Sequence, residues 1–195
     1  MQKDWLLYQS QINPEKSFIQ NGNRFYSFKE VNDIVYDRVC SLVDYGVSNI
    51  DTVAILLSDP LDFIEAYLAC YKIGAVSMIF NHQWTVNEVE TAVQDKSVDY
   101  IICSWKDKEL FKNLNRSIIF FEELSKSHGN CFNEKLEFKP LKDDTQSILF
   151  TSGTQGYPKG VCLTYDNFYK SSVQWKDAIG LNKNDIYMLN LPLYH

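Results

Sequence analysis

The sequence predicts an α/β fold in which a mainly parallel sheet is flanked by helices on both faces. Two observations carry this prediction. Short apolar runs of strand length alternate with longer segments of helical periodicity, as in proteins built from strand–helix–strand units. The apolar runs are continuous, which is typical of strands that are buried on both faces. At 195 residues the chain is long enough for one large domain of this kind.

Turn and capping residues place the elements of the first two thirds of the chain. In chain order we expect a hairpin through Asn21-Gly22, a helix at 28–45, a strand at 52–57, a helix at 60–73, a strand at 75–80, a helix at 86–96, a strand at 98–103, a short helix at 105–114 and a strand at 117–121. The residues that mark helix starts and ends are Ser27 with Glu30, Asp59 with Pro60, Thr85 with Glu88, Gly46 and Gly74.

The last third begins with a polar segment at 127–144 that lacks periodicity. We interpret it as a surface connection between an α/β subdomain at 1–126 and a further segment at 145–195. Within that further segment we expect strands at 146–150 and 161–164, a helix capped by Asp166 that runs to about Ile179, and a last strand at 186–191.

The charge balance argues against nucleic acid as a partner. The net charge is −6 and the pI is about 5.1, and acidic residues interrupt the Lys-rich stretch 106–112. A protein that binds the phosphate backbone needs a basic stripe instead. The sequence also has no apolar segment typical of a signal peptide or a membrane span, so no membrane partner is expected. We predict a cytoplasmic location.

The cysteines do not indicate a metal site or a disulfide framework. They are odd in number, far apart and mostly within apolar patterns: Cys40, Cys70, Cys103, Cys131 and Cys162. We therefore predict reduced thiols, most of them buried. With three histidines in the chain, a His-rich metal site is not expected either.

The stretch FTSGTQGYPKG at 150–160 has the composition of a phosphate-binding loop. Gly153 and Gly156 permit positive φ and let the main chain approach a ligand closely. The side-chain donors are Thr151, Ser152, Thr154 and Lys159. Such donors suit a polyphosphate, and a pyrophosphate leaving group in particular. The alternative is a hairpin turn that binds nothing, and the number of donors in the stretch favours the phosphate site.

The stretch is not a Walker A loop. Pro158 precedes Lys159, and the strand-like run GVCLTY follows, whereas a Walker A lysine leads directly into a helix. We therefore expect the loop to lie between two strands.

From Phe150 to Gly160 the chain resembles the phosphate-binding signature of the AMP-forming adenylate synthetases, which include acyl- and aryl-CoA ligases, luciferases and peptide-synthetase adenylation domains. Their pattern is an aromatic residue, Thr-Ser-Gly-Thr-Thr-Gly, one variable residue and Pro-Lys-Gly. Gln155 replaces the second threonine; it is longer and lacks the β-hydroxyl, but it can still donate a hydrogen bond. Weaker matches follow the family's order along nearly the whole chain: YSFKEV, GVSNIDTVAILLSD, ACYKIGAVSMIFNHQWTVNEV and LNLPLYH.

This resemblance implies that the chain is the first part of the large N-terminal domain of an AMP-forming acyl-CoA synthetase, an acid–thiol ligase. Within the family, DNFYKSSV and the Trp-Leu pair near the N-terminus most resemble 2-succinylbenzoate–CoA ligases of menaquinone synthesis. The implied ligands are ATP, Mg²⁺, coenzyme A and a small-molecule carboxylate. A homo-oligomer is left open.

The resemblance also implies roles for individual residues. The β- and γ-phosphates would be held by Thr151, Ser152, Gly153, Thr154, Gln155, Gly156 and Lys159. His195 would border the pocket for the carboxylate and the adenylate. Taken without the family, the alternative role of Lys159 is a solvated loop lysine, and a lone His195 is uninformative. His82 and His128 are interpreted as structural.

No catalytic residue and no metal ligand is assigned in this chain. The family's later motifs supply the adenine pocket, a magnesium-binding glutamate, a ribose-binding aspartate and the adenylation lysine, and none can be placed here. We therefore expect the opening part of a longer enzyme, without the C-terminal domain and inactive alone. Two other interpretations stay open: a non-catalytic nucleotide-binding module, and an adenylation domain that loads a carrier protein.

Overall fold

The computed structural model describes residues 4–95, 97–124, 140–151 and 159–194. Within these ranges the helices and strands are, in chain order, α1 (Trp5–Ile12), β1 (Ser17–Asn21), β2 (Arg24–Ser27), α2 (Phe28–Asp44), β3 (Thr52–Leu56), α3 (Pro60–Ile73), β4 (Val76–Ile79), α4 (Val86–Asp95), β5 (Tyr100–Cys103), β6 (Ser117–Phe120), β7 (Thr145–Thr151), β8 (Lys159–Thr164) and α5 (Tyr165–Ile179). Short 3-10 helices lie at Trp105–Leu110 and Phe121–Glu123.

Strands β3 to β8 form one sheet in the order β6-β5-β3-β4-β7-β8. All neighbours from β6 to β7 are parallel, and β8 pairs antiparallel with β7. Strands β1 and β2 form a separate antiparallel hairpin. The predicted mainly parallel sheet is therefore confirmed. The order also makes β4 and β7 neighbours, although 65 residues lie between Ile79 and Thr145 in the sequence.

The central strands of the sheet are buried on both faces, as the continuous apolar runs predict, whereas the edge strand β8 is largely exposed. Val53 and Ile55 belong to a core shared with α2 and α3, whereas Ala54 and Leu56 belong to a second core shared with α4. This alternation follows from the period of two along a strand. Across the described ranges, no helix combines the length and apolarity needed to cross a bilayer.

Helix caps agree with most of the sequence predictions. At the start of α2, Ser27 Oγ accepts from the Glu30 amide at 3.2 Å and the Ser27 amide donates to Glu30 Oε2 at 2.8 Å. For α5 the predicted cap, Asp166, is wrong. The cap is Thr164, whose Oγ1 accepts from the Asn167 amide at 3.2 Å while its own amide donates to Asn167 Oδ1 at 2.9 Å. Thr164 takes this role because it is the last residue of β8 and still has extended backbone.

Two predicted elements differ from the structure. The strand predicted at 186–191 is not formed, and its apolar side chains, including Ile186 and Leu191, are exposed. No described strand pairs with this segment, and an extended chain needs such a partner for its backbone hydrogen bonds. The helix predicted at 105–114 is reduced to the 3-10 helix Trp105–Leu110.

The cysteine prediction holds for part of the set. Cys70 and Cys103 are free and buried, and burial raises the pKa of each thiol to about 12. Cys162 is free but exposed on β8. The prediction is wrong for Cys40, which is disulfide-bonded, because spacing along the chain does not say which cysteines the fold brings together.

Gly74 ends α3 in the left-handed region, with φ at 87°. We expect Gly74→Ala to lower the free energy of unfolding by about 1–2 kcal/mol, since an L residue is strained there. The added Cβ would also lie 3.3 Å from Asn49 Cβ. Urea unfolding measures the loss. Gly22→Ala is the matched control: its φ of 59° carries the same type of strain, but no atom lies within 4 Å of the new Cβ. Equal losses in the two variants would contradict a contribution from packing at Gly74.

Candidate functional site

The two strand ends that flank the predicted phosphate loop, Thr151 of β7 and Lys159 of β8, lie at the edge of the sheet where the parallel strands end, here called the carboxyl edge. Strand β7 runs parallel to β4, with Ser147 opposite Ser77 and Ile148 opposite Met78. Strand β8 returns antiparallel along β7. The loop connects the end of β7 to the start of β8, so it leaves the sheet beside the end of β4. Ligands of open α/β sheets are commonly bound at this edge.

Thr151 and Lys159 form the last pair of the β7–β8 hairpin. The Thr151 hydroxyl donates to the Lys159 carbonyl at 3.4 Å, and both side chains are exposed. The fold therefore brings together the hydroxyl and the cation that frame the loop. The other predicted phosphate ligands lie outside the described residues: Ser152, Gly153, Thr154, Gln155 and Gly156. His195 also lies outside them.

An aromatic cluster fixes the end of β7 to the end of β4. Phe150, which precedes Thr151, lies with its ring 4.9 Å from the ring of Trp84 and 5.8 Å from that of Phe80. The rings of Phe80 and Trp84 are 5.2 Å apart. Edge-to-face contacts at these distances stabilise the packing beyond simple burial. The loop thus follows an end of β7 that is held in place by Phe80 and Trp84, which follow β4.

Helix α3 holds β7 from one face of the sheet. The Tyr67 hydroxyl accepts from Gln146 Nε2 at 2.7 Å and lies 3.1 Å from Ser147 Oγ. Gln146 and Ser147 are buried, so these polar groups depend on the tyrosine for their hydrogen bonds. The network fixes the first part of β7 to α3.

We expect Tyr67→Phe to lower the free energy of unfolding by about 1–2 kcal/mol, since it leaves two buried polar side chains without this partner. Chemical denaturation measures the change. Tyr8→Phe is the control, because Tyr8 is exposed and should tolerate the loss of its hydroxyl. A Tyr67→Phe variant as stable as the wild type would show that the network contributes nothing to holding β7.

The far end of the carboxyl edge is unsuited to a polyphosphate. Asp59 and Asp62 follow β3 there, and Glu122 follows β6. Burial, and after it the charge of Asp59, raises the pKa of Asp62 to about 6. These carboxylates disfavour another polyanion, while Lys106, which donates to Ser58 Oγ, adds one positive charge there. The β7–β8 end of the edge carries Lys159 instead.

His82, which we interpreted from the sequence as a structural residue, also lies at this edge. It follows β4, and its ring lies 4.9 Å from the ring of Tyr194 at an interplanar angle of 77°. Tyr194 and Leu193 also pack against the core on the α2–α3 face. The segment before His195 thus returns to the end of β4. The sequence gives no sign of this contact, because it depends on the path of a segment without regular structure.

Comparison with known proteins agrees with these observations. A model of the family described as AMP-binding enzyme matches residues 7–195. The 2-succinylbenzoate–CoA ligase of Geobacillus sp. (strain WCH70) is 32% identical over 98% of this chain and 38% of its own length. The enzyme of that name from Bacillus subtilis (strain 168) is 27% identical over 100% of this chain and 40% of its own. The chain therefore spans about two fifths of the length of these curated relatives.

Solved structures show the same likeness. The o-succinylbenzoate CoA synthetase of Bacillus subtilis, in complex with the acyl-adenylate intermediate OSB-AMP, superposes with a TM-score of 0.91 at 26% identity. The match covers 100% of this chain and 50% of that one. The synthetase in complex with ATP and a magnesium ion gives a TM-score of 0.90 at 25% identity, over 100% of this chain and 52% of the other.

Proposed function

The chain belongs to the AMP-binding enzyme family, and from this membership we propose that it is the N-terminal part of an AMP-forming carboxylate–CoA ligase that acts on 2-succinylbenzoate. The observation that carries the proposal is the Thr151–Lys159 pair, which closes the hairpin at the carboxyl edge of the sheet. The relatives described above support the choice of carboxylate, since they bear the name of this activity and match nearly all of the chain.

In the first half-reaction, a carboxylate oxygen attacks the α-phosphorus of ATP. The bond from that phosphorus to the bridging oxygen of the β-phosphate breaks, so that pyrophosphate leaves and an acyl-adenylate remains. Negative charge grows on the leaving pyrophosphate, and donors that are already in place stabilise it without reorganisation. We assign this role to the hydroxyl, amide and ammonium donors of the loop: Thr151, Ser152, Gly153, Thr154, Gln155, Gly156 and Lys159.

The donors at the two ends of the loop suit phosphate oxygens. Lys159 offers three N–H donors and a full charge, and Thr151 offers a hydroxyl. An ammonium group cannot ligate a metal, so Mg²⁺ would reach the site on the phosphates of ATP, where it neutralises part of their charge. Its protein ligand is expected in the later part of the enzyme.

The second half-reaction transfers the acyl group to a thiol. The coenzyme A sulfur attacks the acyl carbon, the bond to the AMP oxygen breaks, and AMP leaves. We propose His195 as part of the wall of the carboxylate and adenylate pocket. The thioester would serve menaquinone synthesis in the cytoplasm, where ATP and coenzyme A are both present.

The exposed surface of α5 supports the proposal that further parts of the enzyme pack on this region. Of the α5 side chains, Tyr165 alone is buried among the described residues, while the exposed apolar ones are Tyr169, Val173, Trp175 and Ile179. The segment 186–191 adds further exposed apolar side chains. Large exposed apolar side chains in this number are typical of a surface that another part of a protein covers. We therefore expect the 195-residue chain alone to be inactive.

Calorimetric titration of the chain with magnesium pyrophosphate tests the phosphate site. We expect weak, saturable binding with one equivalent per chain, and no saturable heat from magnesium sulfate at the same ionic strength. Binding that is absent, or equally strong for sulfate, would contradict a site built for polyphosphate.

A further inference from the structure

The contact between His82 and Tyr194 joins two segments that are far apart in the sequence. The rings meet edge to face with their centroids 4.9 Å apart. Tyr194 ends a segment, 181–194, that contains neither helix nor strand. Since regular structure does not fix this segment, side-chain contacts must hold its end in place.

His82 is suited to hold that end, because the turn that carries it is rigid. The side chain of Asn81 accepts from the Gln83 amide at 2.9 Å, and the Asn81 carbonyl accepts from the Trp84 amide at 3.0 Å. On either side of His82, Phe80 and Trp84 pack against Phe150 of β7. His82 therefore belongs to the same packed unit as the strand that leads into the phosphate loop.

Charged groups face His82 from a second element. Burial raises the pKa of Asp107, in the 3-10 helix after β5, and the nearby Lys106 and His82 oppose that rise. The Nζ of Lys106 donates a hydrogen bond to Ser58 Oγ at 2.5 Å. His82 is thus within electrostatic range of Asp107, while its ring contacts that of Tyr194.

We propose that His82 is a positioning residue, which holds Tyr194 and with it the segment 192–194 against the carboxyl ends of β4 and β7. The segment leads directly into His195, which the proposed function assigns to the carboxylate pocket. The consequence of this role for substrate binding rests on the proposed function, whereas the contact between His82 and Tyr194 can be tested without any ligand.

Hydroxyl-radical footprinting of the whole chain, read by mass spectrometry, tests the contact from the side of Tyr194. An edge-to-face ring pair corresponds to roughly a 2- to 12-fold effect on an equilibrium constant. We expect His82→Ala to speed the oxidation of Tyr194 about 2- to 12-fold, and His82→Phe, which keeps a ring, to restore the slow rate. Gln83→Ala is the matched control and should change nothing. Tyr187, exposed in the same segment, serves as the internal reference.

The reciprocal experiment does not alter β4 or its turn. Diethyl pyrocarbonate modifies accessible imidazoles, and we expect Tyr194→Leu to speed the modification of His82 several-fold. Tyr187→Leu, the control in the same segment, should leave the rate unchanged. Equal rates of His82 modification in these two variants would overturn the proposal, as would rapid oxidation of Tyr194 in His82→Phe. Because neither readout uses a nucleotide, failed binding of magnesium pyrophosphate would count against the proposed function alone.

Discussion

Replacing Lys159 by alanine is expected to weaken the binding of magnesium pyrophosphate roughly 10- to 100-fold. The estimate follows from the 1.5–3 kcal/mol that a hydrogen bond to a charged group contributes. Lys159 begins β8, and its exposed side chain carries a positive charge next to the loop. The fold should survive the change, since Lys159 pairs with Thr151 through the backbone. Calorimetric titration of wild type and variant gives the ratio of dissociation constants.

Lys176→Ala is the control for this substitution. Lys176 is an exposed lysine in the last turn of α5, so its loss changes the net charge equally without touching the hairpin. If both variants lost affinity to the same degree, long-range attraction would account for binding and Lys159 would have no particular role. Lys159→Arg should retain part of the affinity, because it keeps the charge in a different geometry.

The largest effect on stability is expected at Arg38. Arg38 Nε and Nη2 each lie 2.9 Å from Glu65 Oε2, while the side chains of Arg38 and Glu65 are 8% and 12% exposed. Arg38 also donates to the Leu124 carbonyl and stacks its guanidinium on Phe121, 4.5 Å from the ring centre. We expect Arg38→Met to lower the free energy of unfolding by about 3–5 kcal/mol, because it leaves a buried carboxylate without its partner.

A double variant separates the ion pair from the packing around it. Arg38→Met combined with Glu65→Leu removes both charges, and we expect it to recover most of the loss, since a buried pair is often no more stable than apolar residues of similar volume. Lys112→Met is the surface control: Lys112 pairs with Glu109, but both side chains are more than 60% exposed, and no measurable change is expected. A double variant no more stable than Arg38→Met would contradict the account.

The fold was largely predictable because its strands are buried on both faces and its helices have strong caps. The run TVAIL is nearly all buried as β3, and Asp59 accepts from the Leu61 and Asp62 amides as its position before Pro60 predicts. Helix α1 lacked such a signal: it has one buried residue, Leu6, and is held by a cap from Asp4 and an ion pair of Asp4 with Lys72. The ion pair between Asp4 and Lys72 depends on tertiary packing, which cannot be read from the local sequence pattern.

The candidate site could be predicted where one local stretch contains it. The sequence places Thr151 and Lys159 in a loop between two predicted strands, and in the structure the strands extend to these two residues and pair them. The side chains that pack beside the two ends of the loop could not be predicted, because the sequence does not give the order of the strands in the sheet. Once β4 lies beside β7, the turn that follows β4 brings Trp84 to Phe150 and His82 to Tyr194. The assignments of residues 152–156 and of His195 stay predictions.

The most direct test of the central claim is carboxylate-dependent exchange of labelled pyrophosphate into ATP by the native gene product, purified from its own cell and weighed intact. We predict a mass well above 22.7 kDa and exchange that requires Mg²⁺ and 2-succinylbenzoate, with benzoate as the inactive control. A product that binds magnesium pyrophosphate but exchanges no label with any carboxylate would contradict the ligase account. It would identify a nucleotide-binding module instead.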